Sequence, residues 1–264
     1  MNLPRFAFIL PTLAFCVIIG SSVSSDAQEA AKGSDSGVRK SKTKKPAAKK
    51  DDVKKPSGIT KWTRLFDGKS LANWKVAETG GEGEVVVEDG QIVMEPGNPI
   101  TGITYTGKPP RTNYEIELDA MLLEGNDFFV GLTMPVADSY ISFIVGGWAG
   151  AVVGLSNIDD KDASENDTTK FMKFEENKWY KIRVRVEPEQ IRCWINEKTV
   201  VNQDIKGKKI GIRPEVDLST PLGLSAFQTK VAYKSIRIRE LKSDKESVGK
   251  LNRNVPKAVS PPCR

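Results

Sequence analysis

An all-β, two-sheet sandwich is the fold class this sequence predicts, and three observations predict it. Across residues 62–241 the dominant hydrophobic period is two. Gly, Pro, Asn and Asp interrupt that period repeatedly, which divides the stretch into roughly a dozen or more short strands. Nowhere does an apolar stripe with a period of 3.6 run for three helical turns.

Each clear strand shows the same logic. Residues 84–88 and 91–95 flank Asp89-Gly90, a dipeptide suited to the left-handed backbone of a two-residue hairpin. Residues 113–122 alternate strictly, with Tyr114, Ile116, Leu118 and Ala120 on one face and Glu115, Glu117 and Asp119 on the other. In 179–187, Ile182, Val184 and Val186 point inward and Lys181, Arg183 and Arg185 outward. Pro188-Glu189 then turns the chain into 190–196, where Ile191, Cys193 and Ile195 share a face and Trp194 takes the opposite one. The last strand, 231–241, turns Tyr233, Ile236 and Ile238 inward across one irregularity near Lys234-Ser235. Roughly 180 residues suffice for one core, and no internal repeat divides them.

The two ends have a different composition. Residues 1–27 read as an export signal: Arg5, an apolar run over 6–20, then Ser25-Asp26-Ala27 as a small-x-small cleavage site. That run is shorter than the roughly 20 residues a spanning helix needs, so no membrane span is expected in the mature protein. Residues 28–58 hold ten basic and four acidic side chains and no aromatic one, the composition of a disordered Lys-rich linker. Such a linker solubilises the chain or contacts an anionic envelope. The domain is expected over 59–241, and a flexible tail over 242–264. The linker carries a net charge of +6 and the tail +4, whereas residues 60–241 carry −4. The basic isoelectric point therefore belongs to the ends, and a nucleic-acid-binding face on the domain is unsupported. The expected location is periplasmic or extracellular.

The chain contains no histidine, which removes His-dependent nucleophilic catalysis and every His-containing zinc site. Within the domain Cys193 stands alone and reads as a small core residue, and pairing with Cys263 stays open. No Gly-rich loop joins a strand to a helix, so nucleotide binding is unsupported. Carboxylate, amide and aromatic groups remain. They are densest at 157–167, where Asp159 and Glu165 are candidate catalytic carboxylates and Asp160 and Asp162 candidate ligands for a divalent cation such as calcium. No metal or other cofactor is required by the pattern, and a solvated acidic loop fits it equally. Asn157 and Asn166 are candidate sugar hydrogen-bond donors, and Asn166-Asp167-Thr168 is also a glycosylation triplet. Trp148, among the glycines of 145–150, and Trp194 offer indoles to stack on a sugar ring, or pack at core and edge.

One further pattern runs through the domain. Trp62-x-x-Leu65-Phe66-Asp67-Gly68-Lys69-Ser70-Leu71-x-x-Trp74 resembles the entry motif of the bacterial 3-keto-disaccharide hydrolase family. The likeness continues at 85–94, 113–118, 177–184, Trp194-Ile195-Asn196 and 231–241, in family order. The resemblance implies a concanavalin-like (laminin-G-like) jelly-roll, export, and hydrolysis of glycosides oxidised at C3 of the sugar. Where the family carries a Gln-x-His pattern in its penultimate strand, Ser225 and Phe227 stand here. Its middle strands carry a carboxylate, yet 139–155 reads SYISFIVGGWAGAVVGL. Asp127, Asp138 and the 157–167 loop are what this chain offers instead. A 3-keto group acidifies the neighbouring C–H, so a carboxylate base can start elimination, and a cation on the keto oxygen would stabilise the enolate. The alternative is a carbohydrate-binding or envelope-adhesion module without chemistry.

Overall fold

Alternation along the chain leads to strands, and the strands to two sheets. The computed structural model describes residues 60–242; the expected signal, linker and nearly all of the tail, Cys263 included, lie outside them. In chain order the strands are β1 (Thr63–Arg64), β2 (Trp74–Val76), β3 (Val85–Glu88), β4 (Gln91–Met94), β5 (Ile100–Tyr105), β6 (Tyr114–Glu124), β7 (Val130–Val136) and β8 (Ser139–Gly146). There follow β9 (Val152–Ser156), β10 (Lys170–Phe171), β11 (Trp179–Glu187), β12 (Gln190–Ile195), β13 (Lys198–Asp204), β14 (Gly223–Phe227) and β15 (Lys230–Glu240). A single 3-10 helix, Pro214–Ser219, precedes β14.

All pairings are antiparallel. One sheet runs β13-β12-β11-β6-β15-β4-β3, with β1 also on β15, and the other β10-β9-β8-β7-β14-β5-β2. This is a jelly-roll sandwich in which the chain crosses repeatedly between sheets, with β7–β10 running together in one and β11–β13 in the other. Its core takes Ile116, Leu118, Ile182 and Val184 from the first sheet and Leu132, Phe143, Leu155 and Leu224 from the second. Two buried tyrosines tie the layers together: the Tyr114 hydroxyl donates to the Pro135 carbonyl (2.7 Å) and that of Tyr233 to the Phe129 carbonyl (2.6 Å). Burial pushes both phenols above their ordinary range.

The expected turns form. Asp89 and Gly90 take φ of 48° and 78°, the paired left-handed conformation of a tight hairpin. The irregularity near Lys234-Ser235 is a bulge with Ser235 at φ 56°. In the entry motif Asp67 Oδ1 accepts from the Lys69 and Ser70 amides (2.8 and 2.9 Å), which holds its carboxyl below the usual range. Leu65, Phe66 and Trp74 are buried, and the Trp74 indole donates to the Leu65 carbonyl (2.9 Å). Cys193 is fully buried, and burial raises its thiol.

The outer face of the eight-stranded sheet departs from simple alternation. Glu115 and Glu117 point away from the core as their register requires, yet they are 0% and 6% exposed. Arg185 donates to Glu115 from one neighbouring strand (2.6 Å) and Arg239 from the other (2.6 Å). Glu117 is bound by Arg237. Trp62 lies under Arg239 and Arg237 (4.3 and 4.7 Å to the ring centre), and Trp194 under Arg183 (4.5 Å). Long guanidinium stems and indoles roof these carboxylates, so an outward-facing residue becomes a buried one.

Candidate functional site

The outer face of the seven-stranded sheet is built from small side chains. By register, Thr104, Gly223, Thr133, Ser142 and Ser156 form one row across β5, β14, β7, β8 and β9. Gly102, Ser225, Gly131, Ile144 and Gly154 form the next. Their neighbours along each strand, such as Leu224, Leu132 and Phe143, point into the core. The result is a trough over which loops can lie directly on the backbone. At Gly131 a Cβ would fall 2.5 Å from Ser225 Oγ and 3.0 Å from the Phe128 ring, so glycine lets that ring rest on the floor. At Gly154 a Cβ would meet the Ala163 carbonyl and Thr168 Oγ1, each at 3.0 Å, so the acidic loop rests there.

A cleft of about 220 Å³ remains open in this trough. Ser142 and Ser156 belong to its floor, with Thr133 Oγ1 2.8 Å from Ser142 Oγ. Phe128, Phe227, Ile100, Ile144 and Val216 supply apolar walls. The volume is below the roughly 300–1,000 Å³ of drug-sized sites and suits a single sugar ring.

Charged side chains line the cleft from two places, Asp127 in one and Arg213 with Glu215 in the other. The first is Asp127, just before β7. Its Oδ1 accepts from the backbone amides of Phe128 (2.7 Å) and Trp148 (3.2 Å), which ties the carboxylate to the turn carrying the indole. Trp148 is 40% exposed, and it and Ala149 take left-handed φ of 49° and 63° between Gly146 and Gly150. This backbone is disfavoured for side chains with a Cβ, and it is how the β8–β9 turn presents an indole beside the cleft.

The second is Arg213, ahead of the 3-10 helix. Its guanidinium donates to Glu215 (2.7 Å) and to Asp162 (3.0 Å), so it joins the helix to the acidic loop. The Arg213 hydrogen bond holds the Glu215 carboxyl below its ordinary range, against an opposing effect of desolvation.

The residues singled out from sequence are divided by the fold. Trp148 lines the cleft, and Asp162 reaches its edge through Arg213. Asp159 belongs to a separate cleft of about 100 Å³ with Asn166, Asp167 and Lys208. Its carboxyl is lowered by the Lys208 ammonium (2.9 Å) and the Lys209 amide (2.9 Å). Asp160 pairs with Lys209 (2.7 Å), and Glu165 is exposed. Among the described residues no three His, Cys, Asp or Glu side chains converge, and Asp160 and Asp162, the candidate cation ligands, pair with Lys209 and Arg213 respectively.

Asn157 accepts from the Ser156 hydroxyl (2.7 Å) next to the cleft floor. Asn166 is a clamp within its loop. Its amide donates to the Leu155, Lys161 and Asp162 carbonyls (2.7, 3.1 and 2.7 Å) and accepts from Thr168, which leaves no free donor for a sugar. Trp194 sits on the other sheet beneath Arg183, far in the fold from Trp148. Asp138 lies in the β7–β8 turn outside the cleft. Arg213 and Glu215 carry no sequence signal of their own; only the position of the 3-10 helix brings them in. Phe227 and Ser225, the two departures in the penultimate strand, do lie on this face, Phe227 in the cleft wall and Ser225 on the floor.

Fold and cleft together define a jelly-roll sandwich with a small cleft lined by one part-exposed indole, two carboxylates and one arginine. Residues 61–239 match the family of 3-keto-alpha-glucoside-1,2-lyase-like domains, and the chain belongs to that family. Membership marks the domain as glycan-directed. No curated protein matches the chain. Similar solved structures include a Parabacteroides distasonis protein assigned as a glycosyl hydrolase (15% identity, TM-score 0.44, covering 69% of this chain and 94% of that one). The carbohydrate binding module CBM66 from Bacillus subtilis is similar at 11% identity and TM-score 0.41, covering 62% and 93%. Domain 4 of AbnA, a GH43 arabinanase from Geobacillus stearothermophilus, solved with arabinotriose, is similar at 15% identity and TM-score 0.46, covering 75% and 99%. Among the described residues no helix is long and apolar enough to cross a membrane.

Proposed function

We propose that the protein is exported and cleaves 3-keto-glycosides by elimination, with Asp127 as the base. The observation that carries this reading is the coupling of Asp127 to Trp148: one carboxylate oxygen is fixed by the amide of the residue whose indole offers the sugar platform. The other oxygen is left to face a ring stacked there. Asp127 would take the proton from C2, and its electron pair would pass into an enolate of the C3 ketone. Return of that pair forms the C1–C2 double bond and expels the glycosidic oxygen, which recovers the proton. Addition of water across the double bond completes a hydrolysis. Arg213 still has N–H donors beyond those bonded to Glu215 and Asp162, and these can hold the keto oxygen as charge develops. Asp159 and Glu165, the candidates from sequence, have no part in this arrangement because they do not line the cleft.

The test is turnover of 3-keto-trehalose or a 3-keto-glucoside by the purified chain, with and without chelator, read as released sugar. Asp127→Asn keeps an oxygen for the two amides and removes the base, so turnover should fall by about 10²–10⁴-fold while binding persists. Unchanged turnover in that variant would sink the assignment. The pairing of Glu215 and Asp162 with Arg213 favours a second reading, a binding module without chemistry, since Asp127 is then the cleft's one carboxylate without a cationic partner. Saturable binding of glycosides without any product would establish it.

A further inference from the structure

An arginine in a sugar cleft reads first as an anion receptor, because its planar fork matches carboxylate and sulfate. The charges around Arg213 argue the opposite. Its guanidinium is bonded to Glu215 (2.7 Å) and Asp162 (3.0 Å), while Asp127 also faces the cleft, anchored only by uncharged backbone amides. Asp127 and Glu215 line the cleft with Arg213, a net charge of −1, and Asp162 on the far side of the guanidinium adds a further carboxylate at its edge. Glu215 is held in its ionised form at neutral pH by Arg213. Low-dielectric walls of Phe128, Phe227 and Ile144 concentrate that field on whatever enters.

We infer that this cleft selects uncharged and amino-substituted sugars and rejects anionic ones such as uronates and sulfated or phosphorylated rings. The inference rests on the cleft being the glycan site, as proposed above. Arg213 contributes to selection through hydrogen bonding alone. Its remaining N–H groups can donate to a hydroxyl or keto oxygen, but its positive charge is already matched twice over. A sugar carboxylate roughly 7 Å from one unmatched carboxylate is disfavoured about 3-fold with water-like screening and about 50-fold at an effective dielectric near 20.

The test is calorimetric binding of methyl glucoside, methyl glucuronide and methyl glucosaminide to the purified chain at low salt. The expected order is glucosaminide, glucoside, then glucuronide, with the glucuronide weaker than the glucoside by about tenfold and the gap narrowing as salt is added. Glu215→Gln and, independently, Asp162→Asn should each shift the glucuronide-to-glucoside ratio several-fold toward the acid. Two variants on different elements guard against one failing to fold. A glucuronide that binds wild type as well as the glucoside overturns the selection and leaves the glycan site standing, as does a ratio unmoved by both variants. Failure of all three sugars to bind overturns the selection, and it removes the glycan site as well only if the 3-keto-glucoside also goes unbound.

Discussion

Replacing Glu115 by alanine tests the least expected part of the fold. The carboxylate is 0% exposed and accepts from Arg185 and Arg239 on the two strands beside it. Those arginine side chains are only 11% and 15% exposed, so removing the anion leaves two like charges facing each other with little water to screen them. Breaking a buried pair in this way costs about 3–5 kcal/mol, a large fraction of the roughly 5–15 kcal/mol that holds a domain folded. For a domain of this size that corresponds to a fall in Tm of about 6–20 °C. Urea melts followed by circular dichroism measure the loss. Tryptophan emission should change with it, because Arg239 and Arg185 are stacked on Trp62 and Trp194. Glu88→Ala, at the exposed end of β3, is the control and should stay within about 0.5 kcal/mol of wild type. Replacing Glu115, Arg185 and Arg239 together by apolar residues should recover much of the stability, since the penalty lies in the unmatched charge. A loss under about 1 kcal/mol for Glu115→Ala would refute the view that this face is an interior made of ions.

Further perturbations probe the cleft and the groups that the fold sets apart from it. Gly131→Ala should drive Phe128 off the cleft floor, costing about 1–3 kcal/mol of stability and abolishing sugar binding, measured by urea melts and calorimetry. Trp148→Ala should weaken binding of a glucoside about fivefold, while Trp194→Ala leaves it unchanged and lowers Tm, because the two indoles serve different sheets. The pairing of Asp159 with Lys208 depresses the carboxyl, so its stabilisation is complete above the ordinary carboxylate range and is lost as pH falls through the lowered value. Asp159→Asn should therefore be less stable than wild type at pH 7 and indistinguishable from it in strong acid, measured by urea melts at both pH values.

Much of the fold was legible because its cause is local. A period of two along 113–122 and 179–187 can be satisfied only by strands with one face buried, and Asp89-Gly90 can turn a hairpin because its backbone tolerates φ above zero. The Trp62 to Trp74 motif and the segments that follow it in order carried the resemblance to the family, which the match over residues 61–239 bears out. Trp148 also stood out, since glycines on both sides of an indole are visible in the chain itself. Alternation could say that Glu115 and Glu117 point away from the core. It could not say that guanidiniums from β11 and β15 would cover them, because that depends on which strands become neighbours.

The site followed the same division. The acidic run at 157–167 is dense in sequence, yet Lys208, Lys209 and Arg213 come from about fifty residues further on to neutralise most of it. Asp127, a single carboxylate before two phenylalanines, becomes the prominent one because the β8–β9 turn folds back onto it. Composition and periodicity determined the class of fold and the chemistry that a chain without histidine must do without, and a resemblance of ordered motifs pointed to the family. Tertiary structure alone decided which carboxylates stay unmatched and which face holds the cleft, because both are set by contacts between residues far apart along the chain.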